Sequence, residues 1–501
     1  MRSVLRLTNL IKAIGLPVEN ITGDPDILGM TEDSRRVEPG FLFVAISGMQ
    51  FDGLNYLQEA VRRGASAVLV ENGQTCTAIG VTVVSTSKDL RYCYSMLAAQ
   101  FYDVQPGYVV AVTGTNGKTS VVSFLRQIWS FNGIEAASLG TLGLDAPAIE
   151  HHDWPAELSS LTTPEPVVLH QTLAKLASYG VERVAMEASS HGLDQYRLHG
   201  VTITEAGFTN LSRDHIDYHG SMSSYLESKL RLFNEVMAPG GVAVLNRDTS
   251  VFNRVARACE SRGHRILHYG RSRTDRLTGA INLLELDVTE AGLVLTLDFE
   301  SKVEEVFVPL AGHFQAENVL CSLGLAMAGG ISFEAAVSAL PTLTPARGRM
   351  ELVGYLENGA AIAIDYAHSP DALKNALCAF RQHCDGRLVL VFGCGGDRDK
   401  GKRSEMGRIA LDLADTILVT DDNPRTENPA AIRRDVIKGC PGAVEIPNRE
   451  EAIKMAIGML CDGDLLLVAG KGHESYQKVG SEQLKHSDFE VVQRVISTGT
   501  Q

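Results

Sequence analysis

The run Tyr108-Val-Val-Ala-Val-Thr-Gly-Thr-Asn-Gly-Lys-Thr119 limits the possible folds more than any other stretch of the chain. An apolar, β-rich segment breaks into a glycine loop and ends in Gly-Lys-Thr. Beyond it, Val122, Phe124, Leu125 and Ile128 recur among polar residues, so a helix is expected from Ser120 to Trp129. Strand, loop and helix in this order build a phosphate loop. Glycines let backbone N–H groups close around phosphate oxygens, Lys118 neutralises charge, and the Thr119 hydroxyl can reach Mg²⁺. The helix would point its positive end at the phosphates. The general pattern Gly-x-x-x-x-Gly-Lys-Thr needs glycine at 112, where Val112 stands, so the loop is a shorter one from Gly114 to Lys118. A nucleotide triphosphate site is the reading, an incidental turn the alternative.

At 501 residues the chain exceeds what one hydrophobic core serves, and domains of about 100–200 residues make three the natural division. Its 45% apolar share is enough for packed cores. Phe41 to Ile46, a glycine loop at 47–53, a helical run from Tyr56 to Arg63 and Ala67 to Val70 form a first α/β unit, closed by Pro106-Gly107. Within it, Thr31 to Arg36 reads on its own as a polar turn. From the phosphate strand to about Pro341, strands alternate with helices and end at Glu187, Asn210 and Asn246, as in a parallel sheet with ligands at the carboxyl ends of its strands. Between about 268 and 310 strand-like alternation suggests a small antiparallel insertion. After Pro341-Thr-Leu-Thr-Pro345, four apolar runs (361–365, 387–392, 416–420 and 464–469) indicate a doubly wound, Rossmann-like domain. The expected architecture is therefore α/β in three domains: 1–105, a central phosphate-loop domain at 106–341, and 342–501.

A formal charge of -14 argues against a general nucleic-acid or anionic-membrane binder, so any anion site must be local. Nine cysteines scattered from Cys76 to Cys461 without a Cys-x-x-Cys pair read as reduced thiols, neither a disulfide framework nor a zinc site. The N-terminus lacks the apolar core of a signal peptide, and no run of about 20 apolar residues occurs. A soluble, cytoplasmic protein with no membrane insertion is expected.

Polar groups gather at the expected strand ends. Glu187 precedes Ala-Ser-Ser-His191, and Asn210 leads into Leu211-Ser-Arg-Asp-His-Ile-Asp-Tyr-His219. A carboxylate and an imidazole beside a triphosphate can help hold Mg²⁺, and Glu187 and His215 are favoured for it. Asp217 as a helix cap and His219 as a solvated loop residue remain the blander readings. In the last segment, Gly393 to Arg403, Asp421 to Arg425 and Gly470 to Glu474 follow strands of one sheet. Together they would make a pocket rich in arginine and carboxylate that suits a zwitterion, although any one alone could be a solvated loop.

These motifs, in this order, resemble the Mur ligases of peptidoglycan synthesis over essentially the whole chain, and within them the branch that adds the third amino acid. The resemblance rests on Asp33-Ser-Arg35, Gly114 to Thr119, Leu161-Thr-Thr-Pro164, Glu187 to His191, Asn210 to His215, Tyr218-His-Gly220, His313 to Asn318, Gly348-Arg-Met350, Asp365-Tyr-Ala-His368 and Asp422-Asn-Pro-Arg425. It implies that ATP phosphorylates a carboxylate and that an amine attacks the acyl phosphate. It implies ATP contacts from Gly114, Thr115, Asn116, Gly117, Lys118, Thr119, Asn318, Arg349 and Asp365. Thr119 and Glu187 would ligate one Mg²⁺, His215 would help hold a second, and Lys229, carried as a carbamate, would be a further ligand. Lys118, Lys229, His215 and Glu187 would thus form the catalytic set.

The resemblance further implies UDP-MurNAc-L-Ala-D-Glu as substrate, contacted by Ser34, Thr162, Thr163, Ser189, Gln195 and Arg197, with the uracil pocket near 47–53. It implies meso-diaminopimelate as the incoming amino acid, bound by Arg398, Asp422, Asn423, Pro424, Arg425, Gly470 and Glu474, and a monomeric enzyme. Diaminopimelate is lysine with a second carboxylate, which Arg425 can meet with paired hydrogen bonds that lysine could not repay. The rivals are the L-lysine-adding ligase, another ligase of the superfamily such as a folylpolyglutamate synthase, and a phosphate-loop switch or motor ATPase.

Overall fold

The computed structural model describes residues 5–48, 52–73, 80–149, 154–159, 161–271, 279–289 and 291–498. Part of the loop expected beside the uracil, 49–51, lies outside the described residues, as does Cys76. Two compact units are distinguished, one comprising Met1–Ala111, Ile134–Ala206 and Ser228–Gly241, the other Val112–Gly133, Gly207–Glu227 and Val242–Gln501.

In the first unit, strands Gly29–Thr31, Phe41–Val44, Ala67–Glu71 and Thr82–Thr86 run parallel, and Asn20–Ile21 adds an antiparallel edge. Side chains alternate across a strand. Leu42, Val44, Ala67, Leu69 and Val84 accordingly face helix Leu90–Tyr102, while Phe43, Ala45, Val68 and Val70 pack on Leu57 and Ala60. Burial on both faces is why these strands read as unbroken apolar runs. Asp89 starts the long helix by accepting from the N–H groups of Arg91 and Tyr92. The same unit holds Gly143–Asp145 antiparallel to Ala136–Gly140, which runs parallel to Arg183–Glu187.

In the second unit the phosphate loop opens helix Lys118–Phe131, close to the expected span. Val242–Asn246, Arg265–Arg271 and Ala280–Thr289 pair in parallel, and Gly292–Phe299 and Lys302–Val308 then continue as antiparallel neighbours. The antiparallel hairpins expected as an insertion therefore extend this sheet through the His268–Ala280 register. A separate six-stranded sheet has the order Glu351–Tyr355, Ala361–Asp365, Leu465–Ala469, Leu388–Phe392, Thr416–Val419 and Val444–Glu445, all parallel except the first. Its four inner strands match the four apolar runs. Among the described residues no helix is long and apolar enough to cross a membrane.

Beside that sheet Arg449 and Asp488 are fully buried and paired through Nε–Oδ1 at 2.8 Å and Nη2–Oδ2 at 2.7 Å, and Arg449 also donates to the Ala469 carbonyl. Burial would raise the Asp488 carboxyl, but Arg449 and His486 hold it far below the usual carboxylate range. A depressed carboxylate contributes stability above its unfolded pKa, and that contribution is lost as pH falls through the folded value. Asp488→Ala, which leaves the guanidinium buried without its partner, should cost about 3–5 kcal/mol in urea denaturation at pH 7, with the gap from wild type closing only in strong acid.

Candidate active site

The phosphate loop is held by the chain that follows strand Ile203–Phe208. Thr115 N–H donates to the Asn210 carbonyl and Asn116 N–H to Asn210 Oδ1, each at 2.9 Å, while the Thr209 hydroxyl donates to the Asn116 carbonyl at 2.6 Å. Gly114 and Gly117 have φ of 145° and 88°, where a Cβ would lie 1.9 Å from Thr209 Oγ1 and 2.2 Å from Asn318 Oδ1 respectively. Only glycine fits either place. Lys118 Nζ donates to the carbonyls of Gly114 and Thr115 at 3.0 and 2.8 Å, and Arg349 Nη2 donates to Thr119 Oγ1 at 3.1 Å. The Arg349 guanidinium lies over the Tyr366 ring, 4.1 Å from its centroid. Asp365 accepts from the N–H groups of Met350 (2.7 Å) and Ala367 (2.8 Å), which ties the backbone on both sides of Arg349 and Tyr366, and burial pushes its carboxyl up. The structure thus brings Gly114 to Thr119, Asn318, Arg349 and Asp365 into one neighbourhood.

Next to it, Asp214 is buried, with His215 Nε2 at 3.5 Å and His368 Nε2 at 3.6 Å. Burial works to raise the Asp214 carboxyl, yet the His368 hydrogen bond and the charges of His215, His368 and Lys402 hold it well below the ordinary range. His215 has φ of 54° and is itself the residue that begins helix Ile216–His219, so Asp217 is a first-turn acid and not the cap. Asp214 and His368 lie within the Asn210 to His215 and Asp365 to His368 motifs, whose spacing alone does not show that the two side chains meet.

The second cluster centres on Asp422-Asn-Pro-Arg425. Asn423 Nδ2 donates to Glu474 Oε2 at 2.9 Å, and Lys471 Nζ donates to Asn423 Oδ1 (3.1 Å) and Glu474 Oε2 (2.8 Å). Arg425 Nη1 donates to the Gly396 carbonyl at 2.7 Å, and its backbone, at φ 51°, pairs with the hairpin Tyr476–Val479 and Glu482–Lys485 through Lys478 and Gly480. Gly470, at φ 110°, lies against Asp422, whose carboxyl burial would raise but Lys471, Arg449 and Arg425 hold down. Arg398, Asp422, Asn423, Pro424, Arg425, Gly470 and Glu474 all belong to these three loops. Lys471 was missed although it sits between Gly470 and Glu474, at i,i+3 from the glutamate; it is fully buried.

In the first unit Glu187 is buried at the end of its strand and accepts from Thr141 through N–H (2.8 Å) and hydroxyl (3.1 Å), with Thr162 Oγ1 3.1 Å from that hydroxyl. Thr163 Oγ1 bonds the Glu187 carbonyl at 2.9 Å and lies 3.1 Å from Ser189 Oγ, and Ser189 caps the helix Ser190–Asp194. Arg197 donates to the Thr163 carbonyl (2.9 Å) and Gln195 Oε1 (2.6 Å), and Glu165 lies 3.6 Å away. Ser34 Oγ donates to Glu59 Oε2 at 3.0 Å on the short helical turn that Asp33 caps. Lys229, which its helix pattern alone would put on the surface, is 1% exposed. Of the four expected metal ligands, Glu187 and Lys229 belong to the first unit and Thr119 and His215 to the second. Among the described residues no three His, Cys, Asp or Glu side chains converge as a metal-binding group. A cation held largely by phosphate oxygens and water, with one or two protein oxygens, fits that donor set.

Models of the Mur ligase family match three stretches: the catalytic-domain model residues 26–100, the middle domain 112–326, and the glutamate ligase domain 348–472. The chain is 48% identical over 471 residues to the UDP-N-acetylmuramoyl-L-alanyl-D-glutamate--2,6-diaminopimelate ligase of Rhizobium meliloti, covering 94% of each. It is 46% identical over 475 residues to the ligase of that name from Agrobacterium fabrum, covering 95% of this chain and 94% of the relative. A solved structure of a ligase with the same name superposes with a TM-score of 0.64 at 33% identity, over 94% of this chain and 95% of that one.

One group near Arg197 has a measurable signature. Burial and the neighbouring Glu165 push the Glu32 carboxyl up to about 8, against the opposing pull of Arg197 and Arg91. An acid that is raised on folding binds its proton more tightly in the native state, so its contribution falls as pH rises from its unfolded value, 4.5, towards 8. Glu32→Gln, which mimics the protonated form, should match wild type near pH 4 and become progressively more stable than wild type up to about pH 8, as thermal melts across that range would record.

Proposed function

The chain belongs to the Mur ligase family, and on that premise we propose that it joins meso-2,6-diaminopimelate to UDP-N-acetylmuramoyl-L-alanyl-D-glutamate, converting ATP to ADP and phosphate, in the synthesis of peptidoglycan precursors. The observation that carries the choice of amino acid is the cluster around Arg425, in which a guanidinium stands near a carboxylate (Glu474) and a buried ammonium (Lys471) that share Asn423. Such a set can meet a substrate bearing carboxylate and ammonium at its far end. Lysine, lacking the carboxylate, would leave Arg425 without that partner.

The chemistry follows from positioning and charge neutralisation. An oxygen of the D-glutamyl side-chain carboxylate attacks the γ-phosphorus and ADP leaves. The amine of diaminopimelate then attacks the acyl carbon, a proton is lost from nitrogen, and phosphate departs as the amide forms. Lys118 and the loop N–H groups draw negative charge from the β- and γ-phosphates, and Asn318, Arg349 and Asp365 orient the nucleotide. Ser34, Thr162, Thr163, Ser189, Gln195 and Arg197 hold the UDP-sugar dipeptide. Thr119 and Glu187 would hold one Mg²⁺ and His215 would help hold a second, with carbamylated Lys229 as a further ligand, and the bound cations would neutralise phosphate charge. As an ammonium Lys229 would repel the cation; as a carbamate it offers an anionic oxygen. The proposal includes a cytoplasmic monomer divided at about residues 105 and 341 into UDP-substrate, ATP and amino-acid domains.

Phosphate release by purified protein should require the UDP-dipeptide and diaminopimelate together; turnover with ATP alone would overturn the reading. Arg425→Ala should lower kcat/KM for diaminopimelate by about a hundredfold or more while leaving the KM for ATP within about twofold. Lys229→Ala should abolish turnover, and protein stripped of carbon dioxide should regain activity on adding bicarbonate.

A further inference from the structure

Building on the proposed role of Arg398 at the amino-acid site, we propose that Asp217 and Arg213 are positioning residues for amino-acid selection, setting Arg398 through two ion pairs of opposite polarity. Both residues lie on the stretch that begins at Asn210 and cradles the phosphate loop. Arg213 grips Asp399 through Nε–Oδ2 at 2.9 Å and Nη2–Oδ1 at 3.3 Å. In the reverse sense of charge, Asp217 Oδ2 lies 3.9 Å from Arg398 Nη1.

Arg398 stands between two pinned neighbours. Asp397, at φ 53°, accepts from the Thr426 N–H (3.1 Å) and hydroxyl (2.8 and 3.0 Å), and its own N–H donates to Glu427 Oε1 at 2.6 Å, so it is anchored beside Arg425. Asp399 is anchored by Arg213 and also accepts from Gly401 N–H at 2.8 Å, at the start of helix Gly401–Leu413. With the backbone fixed on both sides, the direction of a long, rotamer-rich side chain is left to Asp217 and to the anchored Asp397, whose carbonyl accepts from Arg398 Nη1 at 3.5 Å. Partly exposed ion pairs add little to stability, so holding a planar guanidinium is their more consequential effect. By this route the loop that supports the phosphate site also sets a group that reads the amino acid.

The test is initial-rate kinetics of full-length Asp217→Asn, Arg213→Gln, Asp399→Asn and the double variant Arg213→Gln/Asp399→Asn, each substrate varied in turn. The asparagine at 399 keeps an acceptor for Gly401. Asp217→Asn should raise the KM for diaminopimelate about tenfold, narrow its preference over lysine, and leave the KM values for ATP and the UDP-dipeptide within about twofold. Arg213→Gln and Asp399→Asn should act in the same direction, and the double variant should be no worse than the poorer single, as a linked pair requires. An unchanged diaminopimelate KM in Asp217→Asn, equal losses for all three substrates, or additive effects at 213 and 399 would overturn the proposal. Wild-type protein without diaminopimelate-dependent turnover would overturn the ligase reading as well, so the wild-type rate tells the two failures apart.

Discussion

Gly114 and Gly117 leave the phosphate loop no spare room: Thr209 stands against one and Asn318 against the other, closer than any Cβ could tolerate. Four backbone or side-chain bonds to Thr209 and Asn210 then fix the loop's path. Because the N–H groups that can bind phosphate belong to the same few residues, a shift of the loop would misplace all of them together. The preorganisation that phosphoryl transfer needs is in this way a matter of sterics before it is one of charge.

Charge is handled by burial in compensated groups. Asp214, Asp422 and Asp488 are all buried, and each is kept ionised by cationic neighbours, one of them local (His215, Arg425, His486) and others distant in sequence (His368 and Lys402, Lys471 and Arg449, Arg449). A chain with a formal charge of -14 can hold anionic substrates only where such local arrangements reverse its average field. On the proposed reading, Arg349 over Tyr366 and the loops carrying Arg398 and Arg425 would be those places.

The parallel strands were legible because burial on both faces makes them uninterrupted apolar runs flanked by glycine. Glu351–Tyr355 was not, since it is an edge strand with a register shift, none of its five residues is buried, and Glu-Leu-Val-Gly-Tyr shows no polar alternation, while Val444–Glu445 is too short to show any period. Motif spacing located the phosphate loop and the Asp422 to Arg425 turn without help from tertiary structure. Lys471 was beyond it, and Lys229 was named by the resemblance alone, because lysine is the residue type least expected inside and its burial shows only in the packing. The same holds for Glu32 and Glu165, which form no local pattern and acquire meaning only when the fold sets them beside each other and Arg197.

Arg425 adopts a left-handed backbone, a conformation that glycine takes freely and a long side chain does not. The turn that carries the guanidinium is therefore one that glycine would make more comfortably. Any procedure that optimises this protein for heat resistance alone would be drawn to replace Arg425 with glycine, and on the proposed reading would trade away the residue that tells one amino acid from another.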